Sequence, residues 1–464
     1  MLFNSLPFVA FFIVVVTLYF NVPKRFRWAI LLAASCYFYM AFIPWYILIL
    51  FFLIVLDFFL GKKIEATADP RRRRHWLWIS IASNIGTLFI FKYFNFVFNA
   101  HLPLILPLGL SFHTFQSLAY VVDVYRGKVR AERHLGIYAL YVMFFPQLVA
   151  GPIERPEHML PQFREDHAFS YPLFVSGVQR MVWGFFKKIV VADHLAVLVN
   201  VVYGDVAAWS GPSLALATLL FAFQIYCDFS GYCDIAIGAA QALGYELSEN
   251  FRSPYLSASI GEFWRRWHIT LSFWFRDYVY IPLGGSRAGE ARTVRNLLVT
   301  FILSGFWHGA NWTFLAWGFL NGAYLVIGRW KDRLLSSLSS RFRLPRFRAL
   351  SAICTFLLTC FAWIFFRAQS MADAWYVVTR LGTGWRGFSA AHALFLDRVD
   401  TDLYVALAGI AVLLIVEVAR ARAGRLARAF SSSVVLRTAG YAALAFLVCA
   451  LWEGRGTEFI YFQF

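Results

Sequence analysis

The chain has 464 residues, of which 60% are hydrophobic, 19% are aromatic and only 15% are charged. Soluble domains are about half apolar and about a quarter charged, so this composition excludes an ordinary soluble fold and indicates lipid as the solvent. The formal net charge is +17, which in a soluble protein would suggest a nucleic acid partner. Here the basic residues stand in short runs between apolar segments, a distribution that fixes membrane topology and contacts anionic headgroups. We therefore expect membrane lipids as partners and no nucleic acid.

Apolar runs of spanning or near-spanning length occur along the whole chain, since a crossing helix needs about 20 apolar residues. In chain order they cover residues 5–21, 28–43, 45–60, 76–98, 103–123, 136–152, 173–202, 213–226, 232–244, 295–328, 349–367, 402–419 and 438–452. Several of them are too short or too interrupted to cross alone. The sequence therefore predicts an all-α polytopic membrane protein with about 11–12 transmembrane helices, accompanied by short, broken or re-entrant helices.

Basic clusters between these runs predict the orientation of the chain. The first run, residues 6–20, lacks a basic leader and a small-residue cleavage site, which indicates a retained span rather than a removed signal peptide. Clusters follow the first, third and fifth runs, so these loops are predicted in the cytoplasm and the N-terminus outside. Clusters after Gly328 and Val418 are predicted to be cytoplasmic too, which would place the C-terminus outside.

The middle of the chain, residues 103–330, differs from a bundle of plain spans because glycine, proline and ionisable residues interrupt its apolar runs. Non-helical backbone at membrane depth is tolerated only where protein or a water-filled cavity satisfies its polar groups. We therefore expect a cavity in this part of the protein. No internal repeat is visible, which predicts one membrane domain over the whole chain.

Residues 259–280 predict one amphipathic helix that ends before Pro282. Its apolar face, within about 120° of arc at helical spacing, is formed by Ile260, Phe263, Trp264, Trp267, Leu271, Trp274, Phe275 and Tyr278. Its opposite face carries Glu262, Arg265, Arg266, Arg276 and Asp277. His268 stands at the border between the two faces. Either this is an interfacial helix with an incidental histidine, or it presents His268 toward a polar cavity.

His308 is the strongest candidate for chemistry. It lies between two apolar runs, and ionisable residues inside membrane segments are rare, charged ones costing roughly 2.5–3.5 kcal/mol. The neighbouring Gly305 and Gly309 leave room for a substrate or another backbone. Burial disfavours the imidazolium and keeps the ring able to accept a proton, as a general base for a hydroxyl must. The alternative is a structural histidine bonded to a backbone carbonyl.

Two acidic residues, Asp228 and Asp234, flank Ser230 and Gly231, where we predict a break between two short helices. On a continuous helix the carboxylates would lie about 120° apart, so they would not form a pair on one face. A carboxylate without a partner is costly in a membrane, so each should meet its own cation or donor. The candidate partners are Arg265 and Arg266. We favour a structural role for all four side chains over direct catalysis.

Other site chemistry is not indicated. No two histidines have a metal-ligand spacing such as HxxxH, which predicts no metal. A Gly-x-Ser-x-Gly elbow and a phosphate-binding loop are also missing from the sequence, which argues against a serine hydrolase and an NTP-driven pump.

Nine stretches form long motifs in a fixed order, among them EFWRRWH at 262–268 and FWHGANW at 306–312. The others are residues 108–116, 123–127, 145–153, 224–234, 250–255, 276–285 and 459–464. In these motifs the chain resembles the membrane-bound O-acyltransferase (MBOAT) family, and within it the branch that includes the membrane subunit of bacterial alginate O-acetylation.

This resemblance implies one MBOAT domain over residues 1–464, with N-terminal helices at 1–100, a catalytic core at 103–330 and C-terminal helices at 349–464. It implies a bundle around a central tunnel that links the two membrane faces. His308 matches the family's catalytic histidine and His268 its supporting histidine. The residues expected to bind substrate are Trp307, Asn311, Trp312, Trp267, Tyr280 and Gln224.

The resemblance also implies an acetyltransferase of the bacterial inner membrane, multi-pass and without a bound cofactor. Its donor would be acetyl-CoA or another cytoplasmic acyl thioester. Its acceptor would be an exported polysaccharide such as alginate, reached through a periplasmic acetyltransferase partner. Alternatives are D-alanyl or peptidoglycan acyl transfer, a lipid acyltransferase, and a membrane transporter, since broken helices with ionisable residues also mark transport pathways.

Overall fold

The computed structural model describes residues 1–287, 289–339, 348–385, 396–422, 433–452 and 459–460. Within these ranges the chain forms helices and short turns, with no strand. The predicted all-α fold is therefore confirmed. The C-terminal motif is described only at Phe459 and Ile460, and the rest of residues 459–464 lies outside the described residues.

The helices of the first half are α1 (Leu6–Asn21), α2 (Arg27–Met40), α3 (Ile47–Ala66), α4 (Pro70–Leu88), α5 (Phe94–Phe98), α6 (Leu110–Tyr125), α7 (Leu135–Met143), α8 (Pro156–Gln162), α9 (Tyr171–Phe185) and α10 (His194–Gly204). Those of the second half are α11 (Gly211–Ala242), α12 (Ile260–Trp264), α13 (Ile269–Phe275), α14 (Glu290–His308), α15 (Trp312–Ser339), α16 (Arg348–Arg367), α17 (Met371–Arg380), α18 (Leu396–Arg422) and α19 (Val434–Ala450). π-Helical turns at Phe89–Tyr93 and Phe186–Asp193 join α4 to α5 and α9 to α10.

Four helical stretches of the described chain are long and apolar enough to cross a membrane. They are Pro70–Phe98, Gly211–Ala242, Arg348–Arg367 and Thr401–Ala421. Two shorter apolar helices, Leu6–Asn21 and Val434–Ala450, have 16 and 17 residues. Several crossings are thus present, as predicted for a polytopic protein. The total of 11–12 crossings and the orientation of the loops stay predictions.

The chain divides into two compact units. The first contains Met1–Gly184 and Tyr232–Glu249, and the second contains Phe185–Gly231 and the described part of Asn250–Ile460. This division does not test the predicted boundaries at 1–100, 103–330 and 349–464, which stay predictions.

In the first unit, α3 and α4 are joined at a buried carboxylate. Asp57 on α3 accepts hydrogen bonds from Ser80 Oγ at 2.6 Å and from Asn84 Nδ2 at 2.8 Å, both on α4. All three residues are at most 1% exposed. Since an unsatisfied buried polar group costs about 1–3 kcal/mol, these bonds fix how the two helices pair.

In the second unit, three tryptophans build the core that surrounds the candidate site. Trp267, Trp317 and Trp363 are each 1% exposed. The rings of Trp317 and Trp363 stack at 16° with centroids 5.9 Å apart, and Trp267 lies 5.2 Å from Trp363. Such aromatic pairs contribute about 0.5–1.5 kcal/mol each beyond the area they bury.

One predicted interruption was placed wrongly. No break occurs at Ser230 and Gly231, because α11 runs unbroken through both. Ser230 is 2% exposed and its hydroxyl accepts a hydrogen bond from Lys187 Nζ at 2.8 Å. A helical glycine costs only about 1 kcal/mol, which buried packing readily offsets.

The prediction of a single helix over 259–280 is also wrong, because the helix is interrupted between the end of α12 and the start of α13. The break ends at His268, whose backbone is left-handed with φ 42°. The predicted separation of faces is nevertheless confirmed at seven of its eight apolar positions, which are buried. The exception, Tyr278, is only partly buried.

The predicted runs at 103–123 and 136–152 are shorter as helices than expected. α6 begins only at Leu110, after Pro107 and a left-handed Gly109. α7 ends at Met143, shortly before Pro146. Proline lacks the N–H that a helix interior needs, so each helix is confined to one side of a proline.

Candidate functional site

His308 is the last residue of α14, and the FWHGANW stretch forms the turn from α14 into α15. Gly309 after it is extended, with φ −166°. Asn311 precedes α15, and its Oδ1 accepts a hydrogen bond from the backbone N–H of Thr313 at 3.0 Å. Asn311 Nδ2 donates to the carbonyl of Gln369, also at 3.0 Å. Asn311 thus caps α15 and ties the turn to the segment after α16.

Two glycines let α14 and α15 approach until their backbones touch. A Cβ atom on Gly305 would lie 2.1 Å from the carbonyl oxygen of Phe314, and one on Gly318 would lie 2.3 Å from that of Phe301. Neither space holds even a methyl group. Because Gly305 stands one helical turn before His308, this close packing fixes the position of the histidine.

The His308 side chain lies in an aromatic enclosure and the residue is only 4% exposed. Its ring centroid is 5.0 Å from Trp317, 5.2 Å from Phe366 and 4.9 Å from Trp307. The three interplanar angles lie between 71° and 87°. These edge-to-face contacts hold the imidazole in one orientation and exclude bulk water from most of its surface.

His268 is equally enclosed, at 1% exposed. Phe229 lies edge-on to its ring with centroids 4.7 Å apart. Its Nδ1 is 3.2 Å from Oδ1 of Asn250. Burial lowers the pKa of His268 to about 3, because a low-dielectric environment disfavours the imidazolium. The ring is therefore neutral at physiological pH.

Trp307 is a shared neighbour of the two histidines. Its ring centroid lies 4.9 Å from that of His308 and 6.4 Å from that of His268. Trp267, the residue before His268, packs on Trp363, which in turn stacks on Trp317 beside His308. The structure thus brings His308, His268, Trp307 and Trp267 into one aromatic cluster.

The other residues predicted to bind substrate have different surroundings. Trp312 is 65% exposed, which does not suit the wall of an enclosed site. Tyr280 shares a 2.7 Å hydrogen bond with Ser286 Oγ, and Asn311 serves as the helix cap described above. Gln224 is buried on α11 at 6% exposed. Substrate contacts by these residues stay predictions.

Asp228 and Asp234 have separate partners, as predicted, but the predicted identities of the partners were wrong. Asp228 Oδ1 lies 2.7 Å from Lys188 Nζ, and its Oδ2 accepts the backbone N–H of Ile460 at 2.8 Å. Asp234 pairs with Arg180 Nε at 2.9 Å.

The arginines proposed as those partners have other positions. Arg266 pairs with Glu262 at 2.7 Å, one helical turn earlier, and Arg265 is exposed. Local spacing could not show this, because the partners come from segments about 40 and 54 residues before the acids.

Sequence reasoning missed three residues that shape this cluster. Asn250 lies in the motif at 250–255 but has no feature there that indicates a role, and Trp317 and Phe366 lie in the predicted apolar runs 295–328 and 349–367 without a feature that sets them apart. Lys188 was missed as well, although a signal was present. It stands beside Lys187 in the apolar run 173–202, where charged residues at membrane depth indicate an internal partner.

Within the described ranges no group of three or more His, Cys, Asp or Glu side chains is placed to hold a metal ion. The absence of a metal stays a prediction. A cavity of about 260 Å³ lies in the first unit, lined by side chains that include Lys24, Arg27, Trp28 and Tyr245. Neither candidate histidine lines this cavity, so it is distinct from the aromatic cluster.

The sequence profile of the membrane-bound O-acyltransferase family matches residues 133–373, a little over half of the 464 residues. The chain belongs to the MBOAT family. A peptidoglycan O-acetyltransferase from Helicobacter pylori is 36% identical over 414 residues, covering 80% of this chain and 78% of that protein. A probable alginate O-acetylase from Pseudomonas aeruginosa is 38% identical over 398 residues, covering 81% and 74%. A teichoic acid D-alanyltransferase from Bacillus subtilis is 26% identical over 320 residues, covering 62% and 77%.

These relatives confirm the resemblance inferred from the motifs. This MBOAT is a multi-pass membrane enzyme that transfers acyl groups to hydroxyl oxygens. Family membership thus favours the enzyme over the transporter, the alternative that broken helices and intramembrane ionisable residues had left open.

Proposed function

We propose that this MBOAT transfers an acetyl group from a cytoplasmic thioester, acetyl-CoA, toward hydroxyls of an exported polysaccharide such as alginate, in the bacterial inner membrane. The observation that carries the proposal is the enclosure of His308 and His268 in one aromatic cluster around Trp307. The alginate O-acetylase relatives, 38% identical in Pseudomonas aeruginosa, support the acetyl donor and the polysaccharide acceptor.

In the proposed reaction His308 acts as the general base. Its neutral imidazole takes the proton of the acceptor hydroxyl while the hydroxyl oxygen attacks the thioester carbonyl. The C–O bond forms, the C–S bond breaks, and the departing thiolate takes the proton from the imidazolium. The reaction thus balances without a bound cofactor or metal. His268, neutral and held near the same tryptophan, supports this site rather than carrying charge.

The aromatic enclosure has a chemical purpose in this scheme. A thioester near an activated water molecule would be hydrolysed, and rings such as Trp317 and Phe366 leave little space for water beside His308. Holding both reactants in a dry site also supplies proximity, which can contribute about 7–11 kcal/mol to lowering the barrier. We propose that the donor enters from the cytoplasm through the predicted tunnel. A periplasmic acetyltransferase partner then transfers the acetyl group from the ester formed at His308 to a hydroxyl of the polysaccharide.

The test measures acetylation of surface polysaccharide in a deletion strain that is complemented with the His308→Ala variant, expressed at wild-type abundance. General acid–base catalysis contributes about 10²–10⁴-fold, so acetylation should fall by at least about 100-fold. His75→Ala is the matched control, because His75 is an exposed histidine in a basic run and should leave acetylation unchanged. Unchanged acetylation in His308→Ala would remove His308 from the catalytic role.

A second acceptor, peptidoglycan, is favoured by the Helicobacter pylori relative, which matches over 80% of this chain at 36% identity. The chemistry at His308 is the same for either acceptor. The deletion strain separates them, since only the true acceptor loses acetyl groups. If only peptidoglycan loses acetyl groups, then peptidoglycan is the acceptor in place of the exported polysaccharide.

A further inference from the structure

The break at His268 creates a problem for the helix that follows. The first backbone N–H groups of any helix have no partner inside the helix, and the side chain of the preceding residue normally accepts one of them. His268 occupies that capping position before α13, but its side chain makes no capping hydrogen bond. The bonds must therefore come from elsewhere.

Asn250 supplies them from a separate segment of the second unit. Its backbone carbonyl accepts the N–H of Ile269 at 3.0 Å. Its side-chain Oδ1 accepts the N–H of Thr270 at 3.2 Å and the hydroxyl of Thr270 at 3.0 Å. Asn250 is completely buried, at 0% exposed. One asparagine thus caps α13 in place of the residue that precedes the helix.

The same contacts determine which ring nitrogen of His268 carries the proton. A backbone N–H can only donate, so the Asn250 atom facing Thr270 N is the oxygen and not the amide nitrogen. Nδ1 of His268 lies 3.2 Å from this oxygen and must therefore carry a hydrogen to bond with it. In a neutral imidazole the other nitrogen, Nε2, then holds the lone pair.

We infer that Asn250 is a positioning residue for His268, capping α13 in its place and holding the ring with Nδ1 protonated and Nε2 as the acceptor. This inference rests on the proposed function, in which His268 assists His308. An acceptor nitrogen at Nε2 can receive a hydrogen bond from a hydroxyl or a protonated base in the site, whereas the opposite tautomer would present a donor there.

Three of the aromatic side chains around His268 leave its tautomer unaffected. The rings of Phe229, Phe251 and Trp307 contact it, and none of them titrates. Two charged residues next to members of this cluster are ion-paired with other groups. Asp228, beside Phe229, binds Lys188, and Arg266 binds Glu262.

The experiment is ¹⁵N NMR of the full-length protein in nanodiscs with labelled histidine, the His268 signals being assigned by their loss in His268→Gln. We expect His268 to be neutral with the proton on Nδ1, and Asn250→Leu to change that tautomer. Thr270→Val is the matched control, because it removes a donor from the same oxygen without touching His268. A ring protonated on Nε2, or an unchanged tautomer in Asn250→Leu, would overturn the inference.

Kinetics provide the second measurement. Asn250→Asp keeps both capping oxygens, so it should preserve folding, but a carboxylate beside Nδ1 raises the pKa of His268 because it stabilises the imidazolium. Acetyl transfer by Asn250→Asp should therefore decline toward low pH before that of the wild type. A pH profile identical to the wild type would contradict positioning through this bond. If the wild type shows the expected tautomer but transfers no acetyl group, the proposed function fails and the inference about Asn250 stands.

Discussion

Replacing Lys188 with methionine should destabilise the protein severely. Lys188 is 4% exposed, and its ammonium lies 2.7 Å from Asp228 and 2.9 Å from Asp193. Removing it leaves one almost fully buried carboxylate and one largely buried carboxylate without this cation. Breaking a buried ion pair by removing one partner costs about 3–5 kcal/mol, which is a large part of the stability of most domains.

The assay is the apparent melting temperature in detergent, followed by size-exclusion chromatography of heated samples. Lys24→Met is the matched control. Its ion pair with Asp166 has both side chains 62% exposed, so its loss should cost only about 0–1 kcal/mol. Adding Asp228→Asn to Lys188→Met should recover part of the loss, because asparagine keeps an oxygen for the N–H of Ile460. A Lys188→Met variant that melts like the wild type would refute the assigned role of the pair.

Three further outcomes are expected. Gly305→Ala should lower both melting temperature and activity, because overpacking costs about 1–3 kcal/mol and shifts α14. Gly328→Ala is the control and should match the wild type, because a Cβ atom at Gly328 would have no other atom within 4 Å. Alanine at the four arginines of residues 71–74 should lower abundance or invert the loop in a cysteine-accessibility assay, with turnover per molecule unchanged. Glu154 raises the pKa of His158, so their pair stabilises fully below about pH 6.5 and is lost as pH rises through the raised pKa. His158→Gln should therefore reduce the fall in melting temperature as the pH rises above about 6.5, and an unchanged slope would contradict this.

The fold class followed from composition, because so apolar a chain can satisfy its backbone in lipid only as helices or a closed barrel. Helix interruptions were harder to predict. At Ser230 a local pattern suggested a break, but the helix is intact there, and a lysine 43 residues away donates a hydrogen bond to the serine hydroxyl. At His268 local periodicity suggested continuity, but Asn250, 18 residues earlier, bonds the new helix start. Both outcomes depend on hydrogen-bond partners that are distant in the sequence, and the local spacing of apolar residues does not reveal them.

The candidate site was predictable only in part. His308 was predicted because an ionisable ring among apolar residues is unusual in a membrane chain. His268 was predicted because it stands at the border of an amphipathic segment and matches a family motif. The enclosure by Trp317 and Phe366 was not found, because a buried aromatic residue looks the same in sequence whether it borders a histidine or a plain core. Trp312, the last residue of the FWHGANW motif, was expected at the site but is mostly exposed.

The most direct measurement is a structure of the protein bound to a non-hydrolysable acetyl-CoA analogue that carries a ketone in place of the thioester. If His308 is the general base, the analogue's carbonyl carbon should lie within about 4 Å of its imidazole, so that an attacking hydroxyl can bond to the ring. A carbonyl bound elsewhere, with the His308 ring still sealed by Trp307, Trp317 and Phe366, would contradict the central claim.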